Sequence, residues 1–211
     1  MSGVYDCVVF DLDGTIIDSH AYTFDAFRHA LAPYDECPTD EEIYASFGPS
    51  ERVILDDFIA AGDVARAYER LQAWYRAHAS RAQPHPDMLE VLESLRQQGI
   101  AITLFTGRGM DSTRLLLETH DLDRFFDAVI AGDSPVQPKP SGEGLTALLQ
   151  AVHCSAQRCL VVGDSPLDLQ AAHQVGAHAI GASWFPARSV APLEGPTLSS
   201  PRDLLRLFRA G

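Results

Sequence analysis

Lysine is nearly missing from this chain: of sixteen basic residues fifteen are arginine, and Lys139 stands alone. Positive charge as a whole is scarce, with sixteen basic against twenty-nine acidic residues and a net charge of −13 over 211 residues. That balance argues against nucleic acid and against an anionic membrane surface as partners. Cysteine is sparse too. Cys7, Cys37, Cys154 and Cys159 show no CxxC or metal-ligand spacing, so free thiols in a reducing cytoplasm fit them best. No apolar run approaches the roughly 20 residues of a membrane span, and the opening MSGVYDCVVF lacks the basic start and long apolar stretch of a signal peptide. A cytoplasmic protein is expected. Internal repeats and low-complexity tracts are also missing.

What is present is an ordinary globular composition, 46% hydrophobic and 21% charged, in a chain long enough for one core and a small second lobe. Short apolar runs predict strands at Val4–Phe10, Ile100–Phe105, Ala128–Ala131, Cys159–Val162 and Ala177–Gly181. Between them lie helical patterns over Asp87–Gln98, Asp111–Thr119, Gly144–Val152 and Leu167–Val175, two of them stopped by Gly99 and Gly176. Such alternation reads as βαβ units: an α/β fold with a doubly wound, mostly parallel, Rossmann-like sheet.

One stretch breaks the pattern. From about Ser19 to Gln83 only helical periodicity is visible, carried by Tyr22, Phe24, Phe27 and Leu31, then by segments opening at Thr39 and Ser50, then by Val64, Tyr68, Leu71 and Tyr75. Thr39 with Glu42 has capping-box spacing. The return is marked by Pro84-His85-Pro86, which forbids a continuous helix. The chain therefore divides into core (1–17), helical cap (18–83) and core again (84–211), with two crossings on which the lobe can hinge.

The most informative segment is Phe10-Asp11-Leu12-Asp13-Gly14-Thr15, directly after Cys7-Val8-Val9. Buried strands rarely end in two carboxylates, since a dry unpaired charge costs several kcal/mol. At the carboxyl end of a strand, where open α/β sheets place their ligands, the fitting compensation is a divalent cation such as magnesium.

Asp11-Leu12-Asp13-Gly14-Thr15, Leu104-Phe105-Thr106-Gly107-Arg108, Lys139-Pro140 and Gly163-Asp164-Ser165-Pro166-Leu167-Asp168, in that order, resemble the four motifs of the haloacid dehalogenase-like phosphohydrolase superfamily. The helical insert falls where members of the phosphoglycolate phosphatase and β-phosphoglucomutase type carry a cap, so the resemblance covers essentially the whole chain. It implies a magnesium-dependent phosphatase acting on a small phosphorylated metabolite through an aspartyl-phosphate. Asp11 is the implied nucleophile. Asp13 is implied to protonate the leaving oxygen, to deprotonate the attacking water and to offer its main-chain carbonyl to the metal. Thr106 and Gly107 would bind phosphoryl oxygens, Lys139 would supply a point charge, and Asp164 would complete the metal ligands. Asp168, four residues on, is implied to support the metal's water shell or to pair with the lysine.

Two departures stand out. Ser141-Gly142-Glu143-Gly144 follows Lys139-Pro140 where the family commonly has another proline, and Thr-Gly-Arg replaces the more usual Thr-Asn or Thr-Ser. Arg108 has two readings, a contact to an anionic substrate or a partner for a surface acid. Arg52, in Phe47-Gly48-Pro49-Ser50-Glu51-Arg52 at a predicted helix start, either binds a distal substrate anion or is plain surface charge. His20 either lines the entrance or is a solvated helix histidine, the commoner outcome. The cap aromatics are mostly core, and Trp184-Phe185 is expected to cover the sheet edge near the site. A phosphomutase of the β-phosphoglucomutase type would use the same motifs, and a non-catalytic phosphate-binding relative is a more distant alternative. A carbon–phosphorus hydrolase needing a cap lysine is closed off, because Lys139 lies in the core.

Overall fold

Cys7-Val8-Val9-Phe10 is apolar at every position because the strand it forms is covered on both faces. All four residues are fully buried. In the computed structural model, which describes residues 5–185 and 193–208, Val8 and Phe10 belong to one hydrophobic cluster. Cys7 and Val9 belong to another, as the two-residue period of a strand dictates. Of the predicted first strand, Val4 lies outside the described residues.

In chain order the elements are β1 (Cys7–Phe10), β2 (Ile17–Asp18), α1 (His20–Leu31), α2 (Asp40–Ala45), α3 (Glu51–Phe58), α4 (Val64–His78), β3 (Gln83–Pro84), α5 (Met88–Gln97) and β4 (Ala101–Phe105). There follow α6 (Met110–Thr119), β5 (Ala128–Ile130), α7 (Glu143–Ala151), β6 (Cys159–Gly163), α8 (Pro166–Val175), β7 (His178–Ala182), β8 (Thr197–Leu198) and α9 (Leu205–Phe208). The main sheet runs β5-β4-β1-β6-β7-β8, with every pairing parallel. The predicted α/β architecture is the observed one. The short strand β8 at the sheet edge carries no two-residue pattern long enough to read in advance.

β1 lies between β4 and β6, so the chain order reverses there, and the crevice outside the carboxyl ends of these three strands is the sheet's ligand position. Gly14 makes the sharp turn after β1. It sits at φ +76°, and a Cβ there would fall 2.2 Å from Asp164 Oδ2, so only glycine fits.

Helices α1 to α4 form the inserted lobe. Their apolar stripes bury Phe27, Leu31, Ile43, Leu55, Leu71 and Tyr75 completely, and each such side chain contributes roughly 1.5–3 kcal/mol by leaving water. Thr39 and Glu42 make the reciprocal capping box that their spacing predicts. At the crossings the structure adds something the sequence does not signal. β2 and β3 pair antiparallel, Ile17 with Pro84 and Asp18 with Gln83, so the two connections form one short ribbon. Two residues per strand are too few to show an alternation.

Candidate active site

The Asp11–Thr15 loop follows β1, Thr106 follows β4 and Asp164 follows β6, so three adjacent strand ends bring the motifs together. Lys139 reaches in from the segment before α7. Its Nζ donates to Asp11 Oδ1 at 2.7 Å and to Asp168 Oδ1 at 2.6 Å, and all three side chains are buried. Asp168 Oδ2 also accepts from the Ser165 amide and hydroxyl, which fixes it in the first turn of α8. Thr106 is buried, and its Oγ1 accepts the Arg108 amide at 3.1 Å.

Asp11, Asp164 and Asp168 each offer a carboxylate oxygen within 4.8 Å of the others. Lys139 is the cation that pairs with two of them. Too little positive charge for three carboxylates leaves its mark on their titration. Burial, reinforced by Asp168 and Asp13 and opposed by Lys139, pushes Asp11 up to about 7. Burial, with Asp11 and Asp168 nearby, raises Asp164 well above the ordinary carboxylate range. Burial alone would lower Lys139, but Asp11 and Asp168 outweigh it and hold the ammonium charged. A hard divalent cation fits such an all-oxygen donor set and would supply the missing charge.

Asp13 lives differently. Its carboxylate faces Arg108, which donates through Nε at 3.1 Å to both oxygens and through Nη2 at 2.7 Å to Oδ1. Ser19 donates to the same Oδ1. Burial would raise Asp13, but Arg108, Ser19 and His20 hold it below the usual range. Arg108 does pair with an acid, as one of its two sequence readings has it, but that acid is Asp13 inside the site and not a surface carboxylate. The guanidinium is buried, bonded to Thr23 Oγ1 at 2.6 Å and placed 4.9 Å from the Tyr75 ring centre. Its Nη1 lies 3.5 Å from Glu51 Oε1 and has no hydrogen-bond partner.

The cap closes over these groups and leaves a cavity of about 170 Å³ that contains Asp11, Asp13, Thr106, Gly107, Arg108, Lys139 and Asp164 in its wall. Arg52 is not brought there. The inward face of α3 is Glu51, Ile54 and Leu55, so Arg52 one position on points to solvent beside the Tyr68 ring. Glu51 is the residue that sequence reasoning passed over. It is 4% exposed, accepts the Gly109 amide at 2.7 Å and the Ser112 hydroxyl, and thereby ties the cap to the start of α6. A carboxylate at 51, in helical register with Ile54, Leu55 and Phe58, was the available signal. His20 also departs from its commoner reading. It is buried, its ring packs parallel to Phe24 and Phe47, and Nε2 stands 3.7 Å from Asp164. Trp184 donates from Nε1 to the Thr15 carbonyl at 2.7 Å and so covers the loop after β1. No helix among the described residues is long and apolar enough to cross a membrane.

Comparison with known proteins agrees with this geometry. Residues 8–182 match the family model described as haloacid dehalogenase-like hydrolase. A phosphoglycolate phosphatase of Aliivibrio fischeri is 30% identical over 84% of this chain and 83% of its own length. The pyrophosphatase PpaX of Bacillus mycoides is 26% identical over 84% and 83%. The crystal structure of CbbY from Rhodobacter sphaeroides in complex with phosphate has the same fold, with a TM-score of 0.83, 21% identity and coverage of 97% and 99%. Family model, relatives and fold together place the chain: it belongs to the haloacid dehalogenase-like hydrolases, in their phosphatase branch.

Proposed function

We propose that the protein is a magnesium-dependent phosphatase that hydrolyses a small phosphorylated metabolite through an aspartyl-phosphate on Asp11. The observation that carries this reading is the convergence of Asp11, Lys139, Asp164 and Asp168 in one buried cluster short of positive charge. Asp11, Asp164 and the main-chain carbonyl of Asp13 would hold Mg2+, which supplies charge stabilisation to the phosphoryl oxygens when bound. Asp168 keeps Lys139 in place beside the nucleophile.

In the first half-reaction an Asp11 oxygen attacks phosphorus, the bond from phosphorus to the leaving oxygen breaks, and Asp13 gives that oxygen a proton. In the second, water attacks the same phosphorus, surrenders a proton to Asp13, and the acyl-phosphate bond breaks to regenerate Asp11 and free phosphate. Lys139, Thr106 and the Gly107 amide stabilise the charge that builds on the transferring group. Before substrate binds, Arg108 holds Asp13 ionised, the form that accepts a proton from water. The dianionic phosphoryl group of a bound substrate favours the protonated form that the first half-reaction uses.

The test is direct. Purified protein with an aryl phosphate should release phosphate in Mg2+ and fall to background in chelator. Asp11→Asn should lose activity by about 10³-fold or more, as expected when a nucleophile is removed. Turnover independent of Mg2+, or an active Asp11→Asn, sinks the mechanism.

A further inference from the structure

The cap wall of the cavity carries its own message about the leaving group. It presents Phe27, Tyr44, Phe47, Pro49 and Ile54, and the charged side chain it adds is an acid, Glu51. Phe47 packs against the rings of His20, Phe24 and Tyr44, so this wall is a rigid aromatic surface. The permanent cations of the lining, Arg108 and Lys139, both come from the core side and not from this wall. Lys139 pairs with Asp11 and Asp168 and Arg108 with Asp13, and the one guanidinium nitrogen left without a hydrogen bond, Nη1, is buried facing Glu51 at 3.5 Å. A second anion on the substrate would sit against apolar rings and beside Glu51, where desolvation and like charge both oppose it.

We propose that the substrate is a phosphomonoester whose leaving group is compact, uncharged and largely apolar. This rests on the phosphatase reading above and deepens it. It separates this chain in substrate class from relatives named for phosphoglycolate and pyrophosphate, whose substrates carry a second anionic group. The same wall opposes a sugar bisphosphate, the intermediate a phosphomutase would have to hold.

Two near-isosteres isolate the charge. Isobutyl phosphate and 2-phosphoglycolate differ in carrying an isopropyl group or a carboxylate on the same CH2–O–phosphate unit. Measured in Mg2+ as competitive inhibitors of aryl phosphate hydrolysis, so that leaving-group reactivity drops out, isobutyl phosphate should compete about tenfold or more tightly. Phe47→Arg sets a cation on the wall and should narrow that gap, with Tyr44→Arg as a second variant where the first fails to fold. Equal or tighter competition by 2-phosphoglycolate overturns the inference, and so does an unchanged gap in the folded variants. If no aryl phosphate is turned over, the phosphatase reading fails instead. Calorimetric titration of the same two compounds then still decides the question of charge.

Discussion

At the scale of single residues, Asp11 and Asp13 are two positions apart and chemically opposed. One faces a shared ammonium among other acids and is pushed up to about 7, burial being the leading cause. The other is held ionised against burial by a guanidinium in contact with both its oxygens. Removing Arg108 therefore has a signed consequence. Arg108→Met takes away the charge that favours the Asp13 carboxylate, so its pKa rises. The acidic limb of the pH profile for aryl phosphate hydrolysis, set by Asp13 as the proposed base, therefore moves upward. Activity at pH 6 then falls more than at pH 8, with melting curves used to confirm that the variant is folded. An acidic limb left in place would show that Asp13 does not set it. Much of this contrast was hidden in the sequence. The order of motifs named Asp11, Asp13, Thr106, Lys139 and Asp164, because strand ends dictate where all of them but Lys139 go. What Arg108 touches depends on two cap helices, through Thr23 more than eighty positions earlier and Glu51 more than fifty positions earlier, and no local pattern encodes those distances.

At the scale of elements, the instructive contact is between α3 and α6. The residue preceding α6 is Gly109, which has no side chain with which to cap the helix. Its first amides are satisfied from elsewhere, Gly109 by Glu51 and Met110 by Asp133. A carboxylate there also complements the positive end of the helix. Glu51 thus serves as a remote cap, joining the lobe that covers the cavity to the strand end that carries Thr106. Glu51→Ala leaves the Gly109 amide and the Ser112 hydroxyl without that partner, at a cost of about 1.5–3 kcal/mol for a charged hydrogen bond. The cap should open more often. Amide exchange in residues 47–52 and 107–112 should quicken by roughly tenfold or more, while exchange in β1 stays slow. Uniform exchange across the variant and the parent would show that Glu51 does not hold the cap. The helices between 20 and 78 were legible because helical periodicity recurs in each successive segment and Thr39 and Ser50 mark two of the starts. Their docking was not, because a buried acid on an apolar stripe reads as a break in the pattern until its partner is known.

At the scale of the whole molecule, the cluster of acids makes stability, protons and metal one linked system. Asp11 and Asp164 both bind protons more tightly in the folded protein than in the unfolded chain. Between the ordinary carboxylate value near 4 and the raised value near 7 for Asp11, the folded state carries the extra proton. Stability without metal therefore declines as pH rises through that window. A divalent cation needs the deprotonated oxygens and displaces those protons, so its binding strengthens over the same window. The two trends give one expected outcome. In chelator, Tm falls from pH 5 to pH 7.5, and saturating Mg2+ raises Tm more at pH 7.5 than at pH 5. Asp164→Asn removes one donor and one titrating group, and should reduce both the decline in chelator and the gain from Mg2+. The measurement needs no turnover, so it tests the cluster as a cation site independently of what the enzyme cleaves. A Mg2+ gain of equal size at both pH values would separate metal from protons and rule out Asp11 and Asp164 as its ligands.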